Sequence, residues 1–333
     1  MTVVEAAVPE PGDGEALLRV DRVGVTANNI TYAVLGAALK YWEFFPLADR
    51  SLGVPPMWGF GDVVATNAAG VEIGQRLYGY YPAGSHLVVR PDRVDAQGFR
   101  DASAHRAQLP SPYNAYRLTT GDAAYDAGQE DLLILFRPLF FTSWMLADLL
   151  ADQSFYGAET LVLSSASSKT AYATAVEIDG PRLVGLTSPS NLEFTRGLGC
   201  YDEVLTYDEI ASLDPAPTAY LDFSGRSEVR AALREHLGDR LVRDVAIGLT
   251  SQSPNAMSAG EVFFAPDQMR KRTKDWGRDV LDARFSEAWR RFSGTASGWV
   301  DVALGQGSEG LREAWLDVLS GRTPARTAHV VEL

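Results

Sequence analysis

The sequence predicts an α/β protein with two domains. Its 333 residues exceed the usual size of a single domain, so two domains are the natural expectation. Residues 15–100 carry short strand patterns separated by glycine-bearing turns. From residue 131 onward, apolar runs of strand length alternate with helical patterns, which indicates βαβ units and a parallel sheet.

The individual elements follow from hydrophobic periodicity. Residues 15–25, EALLRVDRVGV, alternate apolar and polar side chains as a half-buried strand does. Further strands are predicted from the short apolar runs at 159–164, 182–188, 202–207, 218–225, 244–251 and 327–333. Helices are predicted from the spacing of small and apolar residues at 169–178, 191–199, 227–238 and 310–321.

The longest apolar stretch, residues 132–150, is interrupted by Arg137, Pro138 and Asp148. A membrane-spanning helix needs about 20 consecutive, predominantly apolar residues. We therefore predict a core strand or loop that leads into a helix, and not a membrane span.

Composition and charge argue against several classes of protein. The net charge of −13 and the pI of about 4.8 oppose phosphate backbones and anionic membrane surfaces, so neither nucleic acid nor a membrane is an expected partner. Cys200 is the single cysteine, which excludes an internal disulfide and is consistent with a reducing compartment. The N-terminal residues lack a basic region followed by an apolar run, so no signal peptide is expected. The expectation is a cytoplasmic protein that acts on a small molecule.

Several segments carry a family resemblance, and together they cover most of the chain. They are PEPGDGEALLRVDRVGVTANNITYAVLG (9–36), WGFGDVVATNAAGVEIGQRLYGYYPAGSHLVV (58–89), ETLVLSSASSKTA (159–171), RLVGLTSPSNLEFTRGLGCYDEVLTYDE (182–209) and SGRTPARTAHVVEL (320–333). Their order resembles the medium-chain dehydrogenase/reductase superfamily, in its zinc-free quinone and enoyl-thioester reductase branch. The SSASSKT loop (164–170) is also similar to one in an uncharacterised offshoot family of unknown function.

The resemblance implies a fold and a domain division. A GroES-like β-barrel catalytic domain is expected from residues 1–128 and 262–333. A Rossmann-like domain with a doubly wound parallel sheet is expected from residues 129–261. Relatives commonly dimerise by joining their Rossmann sheets edge to edge, so a homodimer is a possible partner state.

The loop at 164–170 is where the superfamily places its G-x-x-G-x-x-G phosphate loop. Ser165, Ser168 and Ala171 occupy the three glycine positions. Two serine Cβ atoms restrict the backbone, but the segment offers hydroxyls and a cation at a predicted helix N-terminus, which favours anions. The predicted phosphate-binding residues are Ser164, Ser165, Ser167, Ser168, Lys169 and Thr170. The alternatives are a serine-rich helix cap with a solvated lysine, or a Walker A loop whose two glycine positions hold Leu163 and Ser168.

The end of the second Rossmann strand bears on the choice of cofactor. Enzymes that use NAD usually place an acidic residue there, and this chain has none. The polar residues there are Thr187, Ser188 and Asn191, followed by Arg196. They favour NADP(H), unless Arg196 is an ordinary surface residue. The resemblance also implies, by position alone, that Thr142, Ser224, Gly225 and Phe263 contact the cofactor, although each is equally consistent with core packing.

The reaction site is expected to work without zinc. Cys200 falls in a helix-to-strand turn, and the four histidines show no metal-ligand spacing. This favours reduction of a conjugated C=C bond, which needs hydride positioning and a proton donor or carbonyl anchor. The candidates for that group are Tyr41, which is preferred, and Tyr32, Asn28 and Asn29. The alternative is that the aromatic stretch YWEFF (41–45) forms a hydrophobic wall.

Three functions are therefore kept open. The first is a zinc-independent, NADPH-dependent reductase of an enone, quinone or acyl thioester. The second is a coenzyme A thioester enzyme without redox chemistry, in which Lys169 and the basic run at 269–274 bind phosphates. The third is a non-catalytic relative that binds a nucleotide.

Overall fold

The computed structural model describes residues 2–247 and 261–333. The chain forms two compact units, one of Met1–Leu135 with Val300–Leu333 and the other of Phe136–Trp299. The expected division gave residues 262–333 to the first domain, whereas the structure returns the chain to the first unit at Val300. Two helices after residue 264 account for the difference, because their apolar side chains pack within the second unit.

The first unit is built mainly from strands. In chain order its elements are β1 (Ala16–Val25), α1 (Ala27–Val34), β2 (Pro56–Thr66), β3 (Arg76–Pro82), β4 (His86–Val89), β5 (Pro91–Asp95), β6 (Gly98–Asp101) and β7 (Ala115–Leu118). Alternation along the first half of β1 buries Ala16, Leu18 and Val20 completely, as its sequence pattern predicted. The pairing with β2 shifts between Val20 and Arg22, and Val23 is buried beyond that irregularity.

Helix α2 (Glu130–Asp152) is a correction to the sequence analysis. It is one continuous helix of 23 residues through Pro138, and not a strand or loop followed by a helix. The hydroxyl of Thr142 donates to the carbonyl of Pro138 at 3.2 Å inside this helix. Its length and composition would suit a membrane span, but 67% of its most apolar 18-residue window is buried within the protein.

An ion-pair network fixes the beginning of α2 in the first unit. Arg76 on β3 binds Glu130 at 2.6 Å, Asp21 at 2.6 Å and Asp62 at 3.0 Å. Because Glu130 is nine-tenths buried, this guanidinium supplies the charge that a buried carboxylate requires.

The second unit alternates strands and helices. Its further elements are β8 (Thr160–Leu163), α3 (Lys169–Val176), β9 (Arg182–Thr187), α4 (Leu192–Gly197), β10 (Glu203–Thr206), β11 (Thr218–Asp222), α5 (Ser227–Leu237), β12 (Leu241–Ile247), β13 (Glu261–Phe263), α6 (Ala265–Trp276) and α7 (Arg278–Ala296). Helix α7 packs on α2 through rings, with Phe140 lying 4.6 Å from Phe292 and 5.6 Å from Trp289.

The chain closes in the first unit with β14 (Asp301–Gln306), α8 (Gly307–Leu319) and β15 (Thr327–Glu332). The described strands of this unit form one sheet in the order β14-β15-β1-β2-β3-β7-β6-β5, with β4 also paired to β1. Strand β15 runs antiparallel to β1, so the C-terminal segment completes the sheet that the N-terminal segment began.

The second unit has a doubly wound sheet in the order β10-β9-β8-β11-β12-β13, with every pair parallel. Counted within the unit, this is the Rossmann order 3-2-1-4-5-6. The predicted fold class, a β-rich domain with a Rossmann-like parallel-sheet domain, is confirmed. The strand order reverses between β8 and β11, and ligands of such sheets bind beyond the carboxyl ends of the strands at that point.

Candidate functional site

The loop between β8 and α3 keeps a glycine-like turn without glycine. Ser165 has a φ of +47°, the left-handed conformation that glycine adopts without a steric penalty. Its amide donates to the Tyr207 hydroxyl at 3.0 Å, and the amide of Ser168 donates to the Ser165 carbonyl at 2.7 Å. The first of the three predicted glycine positions therefore has a backbone conformation typical of glycine, although serine occupies it.

The same loop lies directly on strand β9. The Ala166 amide donates to Leu186 O at 3.0 Å, and the Tyr201 hydroxyl donates to Ala166 O at 2.9 Å. A Cβ placed on Gly185 would lie 2.9 Å from the Ala166 Cβ, closer than such atoms approach. Glycine at position 185 therefore permits the loop to sit against the sheet.

Ser164 has an internal role and not the predicted contact with a phosphate. It is completely buried, and its hydroxyl donates to Asp222 Oδ1 at 3.0 Å. It accepts from the amides of Phe223 at 3.0 Å and Ser224 at 3.1 Å. One hydrogen and two lone pairs are all that a hydroxyl has, so Ser164 has no capacity left for a ligand.

Asp222 organises the loop after β11. Its Oδ1 accepts from the Tyr220 hydroxyl at 3.0 Å, the Ser224 hydroxyl at 2.8 Å and the Gly225 amide at 2.9 Å. Its Oδ2 accepts from Arg230 at 3.0 Å, and the Asp222 carboxylate is buried. The predicted cofactor residues Ser224 and Gly225 are thus held in place by a buried carboxylate.

Other hydroxyls of the phosphate loop keep a hydrogen to donate. Ser167 Oγ accepts from Thr187 Oγ1 at 3.4 Å and from Asn191 Nδ2 at 3.1 Å, which leaves its own hydrogen uncommitted. Ser168 Oγ accepts from the Ala171 amide at 3.4 Å as the N-cap of α3, with the same consequence. The loop therefore offers hydroxyl donors in front of a helix N-terminus.

Lys169 is the first residue of α3, and burial lowers the pKa of its ammonium to about 8. Its Nζ lies 6.0 Å from the centre of the Phe136 ring, and it makes no hydrogen bond or ion pair within the described residues. A half-buried cation without a counter-charge is unfavourable, and the N-terminal end of a helix adds further positive potential. An anion at this loop would relieve both.

The other predicted cofactor residues are placed as follows. Ser188 and Ser190 share a hydrogen bond of 3.0 Å between their hydroxyls after β9. Arg196 is exposed on α4 and pairs with Glu193 at 3.2 Å. Thr170 is half-buried in the first turn of α3. Phe263 is buried at the end of β13. These positions do not test whether the predicted residues bind a cofactor, so their cofactor contacts stay predictions.

Sequence reasoning missed two residues at this edge of the sheet. Tyr207 follows β10 and holds the Ser165 amide, and the Arg226 guanidinium lies 4.6 Å from the centre of the Tyr207 ring. Arg226 also binds Glu228 at 2.8 Å. Tyr207 follows the carboxyl end of β10 and Arg226 follows that of β11, the edge of the sheet where ligands of such folds bind, and that rule of position could have found them.

The first unit contains a group of phenols, which we call the tyrosine cluster: Tyr32, Tyr41, Tyr80 and Tyr113. The ring centres of Tyr32 and Tyr41 lie 4.4 Å apart, and those of Tyr80 and Tyr113 lie 4.8 Å apart. Tyr32 and Tyr80 are buried, whereas Tyr41 and Tyr113 are half-buried. The predicted catalytic tyrosines Tyr41 and Tyr32 are therefore neighbours, and the cluster also contains Tyr80, which the sequence did not single out.

Burial raises the pKa of all four phenols above their ordinary value. They stay protonated at every working pH, so each can donate a hydrogen bond. A raised pKa makes a phenol a weaker acid. A raised pKa therefore suits a phenol to hydrogen-bond donation more than to proton transfer.

Trp42 fixes the short turn that carries Tyr41. A Cβ on Gly36 would come within 2.0 Å of the Trp42 ring, and one on Gly53 within 2.4 Å. The indole therefore lies directly against two stretches of backbone that glycine leaves open. The position of Tyr41 depends on this packing because the two residues are adjacent.

A buried cation, Arg106, lies near the tyrosine cluster. Arg106 is fully buried and pairs with Asp101 at 3.1 Å. Its guanidinium lies 4.8 Å from the Phe45 ring centre and 5.6 Å from that of Phe44. Phe44 in turn packs edge-on against Tyr80 at 5.2 Å. Asp101 thus balances the charge of this guanidinium, which packs on the Phe44 and Phe45 rings.

The two asparagines differ in their surroundings. Asn29 is buried, accepts from the Thr26 amide at 2.7 Å and donates to Pro56 O at 2.9 Å, so it caps α1. Asn28 is half-buried. In residues 2–247 and 261–333, no three side chains of His, Cys, Asp or Glu come together as metal ligands would. The half-buried thiol of Cys200 has its pKa raised to about 12 by burial.

A family model and several solved structures match this chain. A family model described as "Protein of unknown function (DUF2855)" matches residues 23–324. No curated protein matches the chain. CurA in complex with NADPH from Vibrio vulnificus is similar over 99% of this chain and 93% of its own, with 16% identity and a TM-score of 0.65.

Two further solved structures are similar over the whole of this chain. The quinone oxidoreductase from Coxiella burnetii is covered to 94% at 12% identity and a TM-score of 0.56. The glucose dehydrogenase from Haloferax mediterranei is covered to 96% at 14% identity and a TM-score of 0.56. Likeness at such low identity shows the fold alone, and one fold hosts different reactions.

Proposed function

The chain belongs to the DUF2855 family, whose description assigns no activity, and we propose that it is an NADPH-dependent, zinc-independent reductase of a C=C bond conjugated to a carbonyl. The observation that carries this proposal is Lys169. It is a half-buried cation without a described counter-charge, in a phosphate-loop position beside the reversal point of a Rossmann-like sheet. Such a loop is built to receive a diphosphate.

The residues around the loop fit such a cofactor. The ammonium of Lys169 and the hydroxyls of Ser165, Ser167 and Ser168 would hold the diphosphate. A solved structure of similar fold, CurA from Vibrio vulnificus, contains NADPH. When bound, NADPH supplies the hydride that the reaction requires.

The adenosine end of the cofactor would be held by different residues. Tyr207 and Arg226 form a stacked aromatic and cationic pair of the kind that binds an adenosine and its 2′-phosphate. Thr187 and Asn191 lie at the end of β9, where a carboxylate would repel that phosphate and none is present. This arrangement supports NADP(H) over NAD(H).

The tyrosine cluster supports the second half of the proposal. Reduction at the β-carbon of an enone develops negative charge on the carbonyl oxygen. Tyr41, half-buried and protonated, would donate a hydrogen bond to that oxygen, and Tyr113 offers a second phenol. The proton for the α-carbon then comes from water, since the raised pKa of Tyr41 makes its phenol a weak acid. Aromatic walls suit a flat enone or quinone.

The coenzyme A alternative loses one of its supports. Three of the four cations in the basic run on α6 pair with carboxylates: Arg270 with Asp267, Lys271 with Asp275, and Arg272 with Asp148. These three cations are therefore already paired. Lys169 thus lacks the neighbouring free cations that a coenzyme A phosphate tail would need.

Calorimetric titration with NADPH and NADH tests the proposal. We expect NADPH to bind more tightly than NADH, and Lys169→Ala to weaken NADPH binding about 10- to 100-fold, the value of one charge-assisted contact. The exposed lysine variant Lys274→Ala is the matched control and should bind as the parent does. Absence of binding by either nucleotide would refute the proposal, and coenzyme A would then be titrated.

A further inference from the structure

The second unit contains a cavity away from its phosphate loop. Its volume is about 260 Å³, and it is lined by α2, α7, the end of α3 and Trp276 of α6. Helix α3 separates the two features, with Lys169 at its beginning and Glu177 as its C-cap. Eight helical residues span roughly 12 Å. The cavity is therefore distinct from the predicted cofactor loop.

Glu177 is the unusual residue of this cavity. Its side chain is 7% exposed, and among the described residues its carboxylate accepts no hydrogen bond. The nearest cation is Arg291 at 3.6 Å, beyond hydrogen-bond distance, and Arg291 also pairs with Glu287 at 3.3 Å. A buried carboxylate without donors is costly, and the C-terminal end of a helix, where negative potential accumulates, raises that cost.

The side chains that line the cavity include one more carboxylate than guanidinium groups. Three carboxylates line it, those of Asp148, Glu177 and Glu287, against two guanidiniums, those of Arg284 and Arg291. Asp148 is already bound by Arg272 of α6 at 2.6 Å, and the Arg284 guanidinium lies 4.3 Å from the Trp276 ring centre. Of the three lining carboxylates, Glu177 thus has the weakest ion pair with the protein's own cations.

Part of the cavity wall is apolar. Trp144 is buried on α2, and Ala147 and Ala151 lie one turn and two turns further along the same helix face. The walls therefore combine aromatic and small side chains with the five charged groups described above. A volume of about 260 Å³ is below the usual 300–1,000 Å³ of drug-sized sites, so a ligand of roughly ten heavy atoms is the right size.

We propose that this cavity binds a small organic monocation, an ammonium group on a short aromatic or aliphatic body. Glu177 is its counter-charge and Trp144 is its apolar wall. The ligand's N–H groups satisfy the Glu177 carboxylate, and Arg291 remains with Glu287. The site does not depend on the proposed reductase activity, since none of its residues belongs to the phosphate loop or to the tyrosine cluster.

Three probes of the same size but different charge test the proposal. They are 2-phenylethylamine, 2-phenylethanol and phenylacetate, each titrated into the full chain and followed by calorimetry and by Trp fluorescence. We expect saturable binding of the amine, at least tenfold weaker binding of the alcohol and none of the acid. Equal binding of all three, or no saturable binding of the amine up to 10 mM, which is about −2.7 kcal/mol in binding free energy, would overturn it.

Three variants locate the binding in the cavity. Glu177→Gln keeps the shape and removes the charge, and should weaken the amine at least tenfold. Ala151→Leu fills the cavity without changing charge and should do the same. Glu235→Gln, an exposed residue of α5 outside the cavity, is the matched control and should retain binding. Unchanged amine binding in Glu177→Gln would contradict the proposal.

Proton release gives a second measurement that a folding defect cannot imitate. Burial raises the pKa of Glu177 to about 7, so part of the population is protonated at neutral pH. A bound cation ionises that carboxyl and releases a proton, which calorimetry in two buffers of different ionisation enthalpy detects. The groups facing Glu177 are Arg291, Arg284 and Glu287 of α7 and Asp148 of α2. Amine binding without proton release at pH 7 would mean that the amine pairs with another carboxylate, which would contradict the role of Glu177.

Discussion

The hydroxyl of Ser164 donates a 3.0 Å hydrogen bond to Asp222, although 58 positions separate the two residues. The bond joins the loop after β8 to the loop after β11 at the point where the strand order of the sheet reverses. Since Ser164 also accepts two amides from the β11 loop, one buried hydroxyl sets the relative position of the two loops that flank the proposed cofactor site.

Removing this hydroxyl should destabilise the protein and weaken NADPH binding together. Ser164→Ala removes the buried hydroxyl that accepts from the amides of Phe223 and Ser224 and donates to Asp222, and the loss of these hydrogen bonds costs about 1–3 kcal/mol. Urea unfolding and NADPH titration measure the two effects. Ser190→Ala, an exposed serine after β9, should change neither. If Ser164→Ala is as stable as the parent, the bond has no structural importance.

Glycine at position 165 should stabilise the protein. Ser165 has a φ of +47°, and relief of that left-handed conformation is worth about 1 kcal/mol. Ser168 is the matched control because its φ is −79° and its side chain caps α3. Ser168→Gly is expected to lose a few tenths of a kcal/mol. Equal effects of the two substitutions on the free energy of unfolding would be evidence against strain at Ser165.

NADPH affinity should fall as the pH rises above about 8. The pKa of Lys169 is lowered to about 8, and a bound phosphate favours its charged form, so binding takes up a proton where the lysine is neutral. Between pH 8 and 10 the affinity should fall by up to about tenfold per pH unit. Lys169→Arg keeps its charge throughout and should show a flatter profile, measured by calorimetry. If the NADPH affinity of the parent protein does not change over this pH range, Lys169 does not contact the phosphate.

The packing of Trp42 should control turnover but not cofactor binding. A Cβ at Gly53 would come within 2.4 Å of the Trp42 ring and so shift the neighbouring Tyr41, at a cost of about 1–3 kcal/mol in stability. We expect Gly53→Ala to lower kcat/KM for an enone at least tenfold with unchanged NADPH affinity. Gly84→Ala, whose Cβ would meet no atom within 4 Å, is the control. Full activity in Gly53→Ala would remove Tyr41 from the proposed mechanism.

The stability of the protein should depend on Glu177 in a defined pH window. Its pKa is raised from 4.5 to about 7 in the folded protein, so the native state binds more protons than the unfolded state between these values. Stability contributed by the protonated carboxyl is therefore lost as the pH rises through this window, by an amount on the order of 3 kcal/mol at pH 8. Glu177→Gln should lack this loss. Melting curves from pH 4.5 to 8 measure this effect, with Glu235→Gln, an exposed residue of α5, as the control. A Glu177→Gln profile that follows the parent would contradict the assignment.

Much of the second unit could be predicted from its sequence because each strand there is a short apolar run between a turn and a helix. Helix α2 could not be predicted as a whole, since Pro138 and Arg137 interrupt its pattern and the burial of the surrounding helix compensates for them. The return of the chain at Val300 was also missed, because the apolar residues of α7 carry no signal of the unit against which they pack.

The position of the loop between β8 and α3 could be predicted from the sequence, but the contacts of its hydroxyls could not. Whether Ser164 faces a ligand or a carboxylate depends on Asp222, which the fold alone brings near it. Tyr80 entered the tyrosine cluster through strand pairing, and no local pattern marks it. The predicted contacts of Lys169 and Arg196 with a nucleotide stay predictions.

The most direct test of the account is turnover. Purified protein is mixed with NADPH and a small panel of enones and quinones, and NADPH oxidation is followed beside product analysis. The account predicts NADPH oxidation with formation of a product saturated at the C=C bond, or of a hydroquinone, and activity reduced at least tenfold in Tyr41→Phe. Tight NADPH binding without oxidation by any member of the panel would contradict it and would indicate a non-catalytic nucleotide-binding protein.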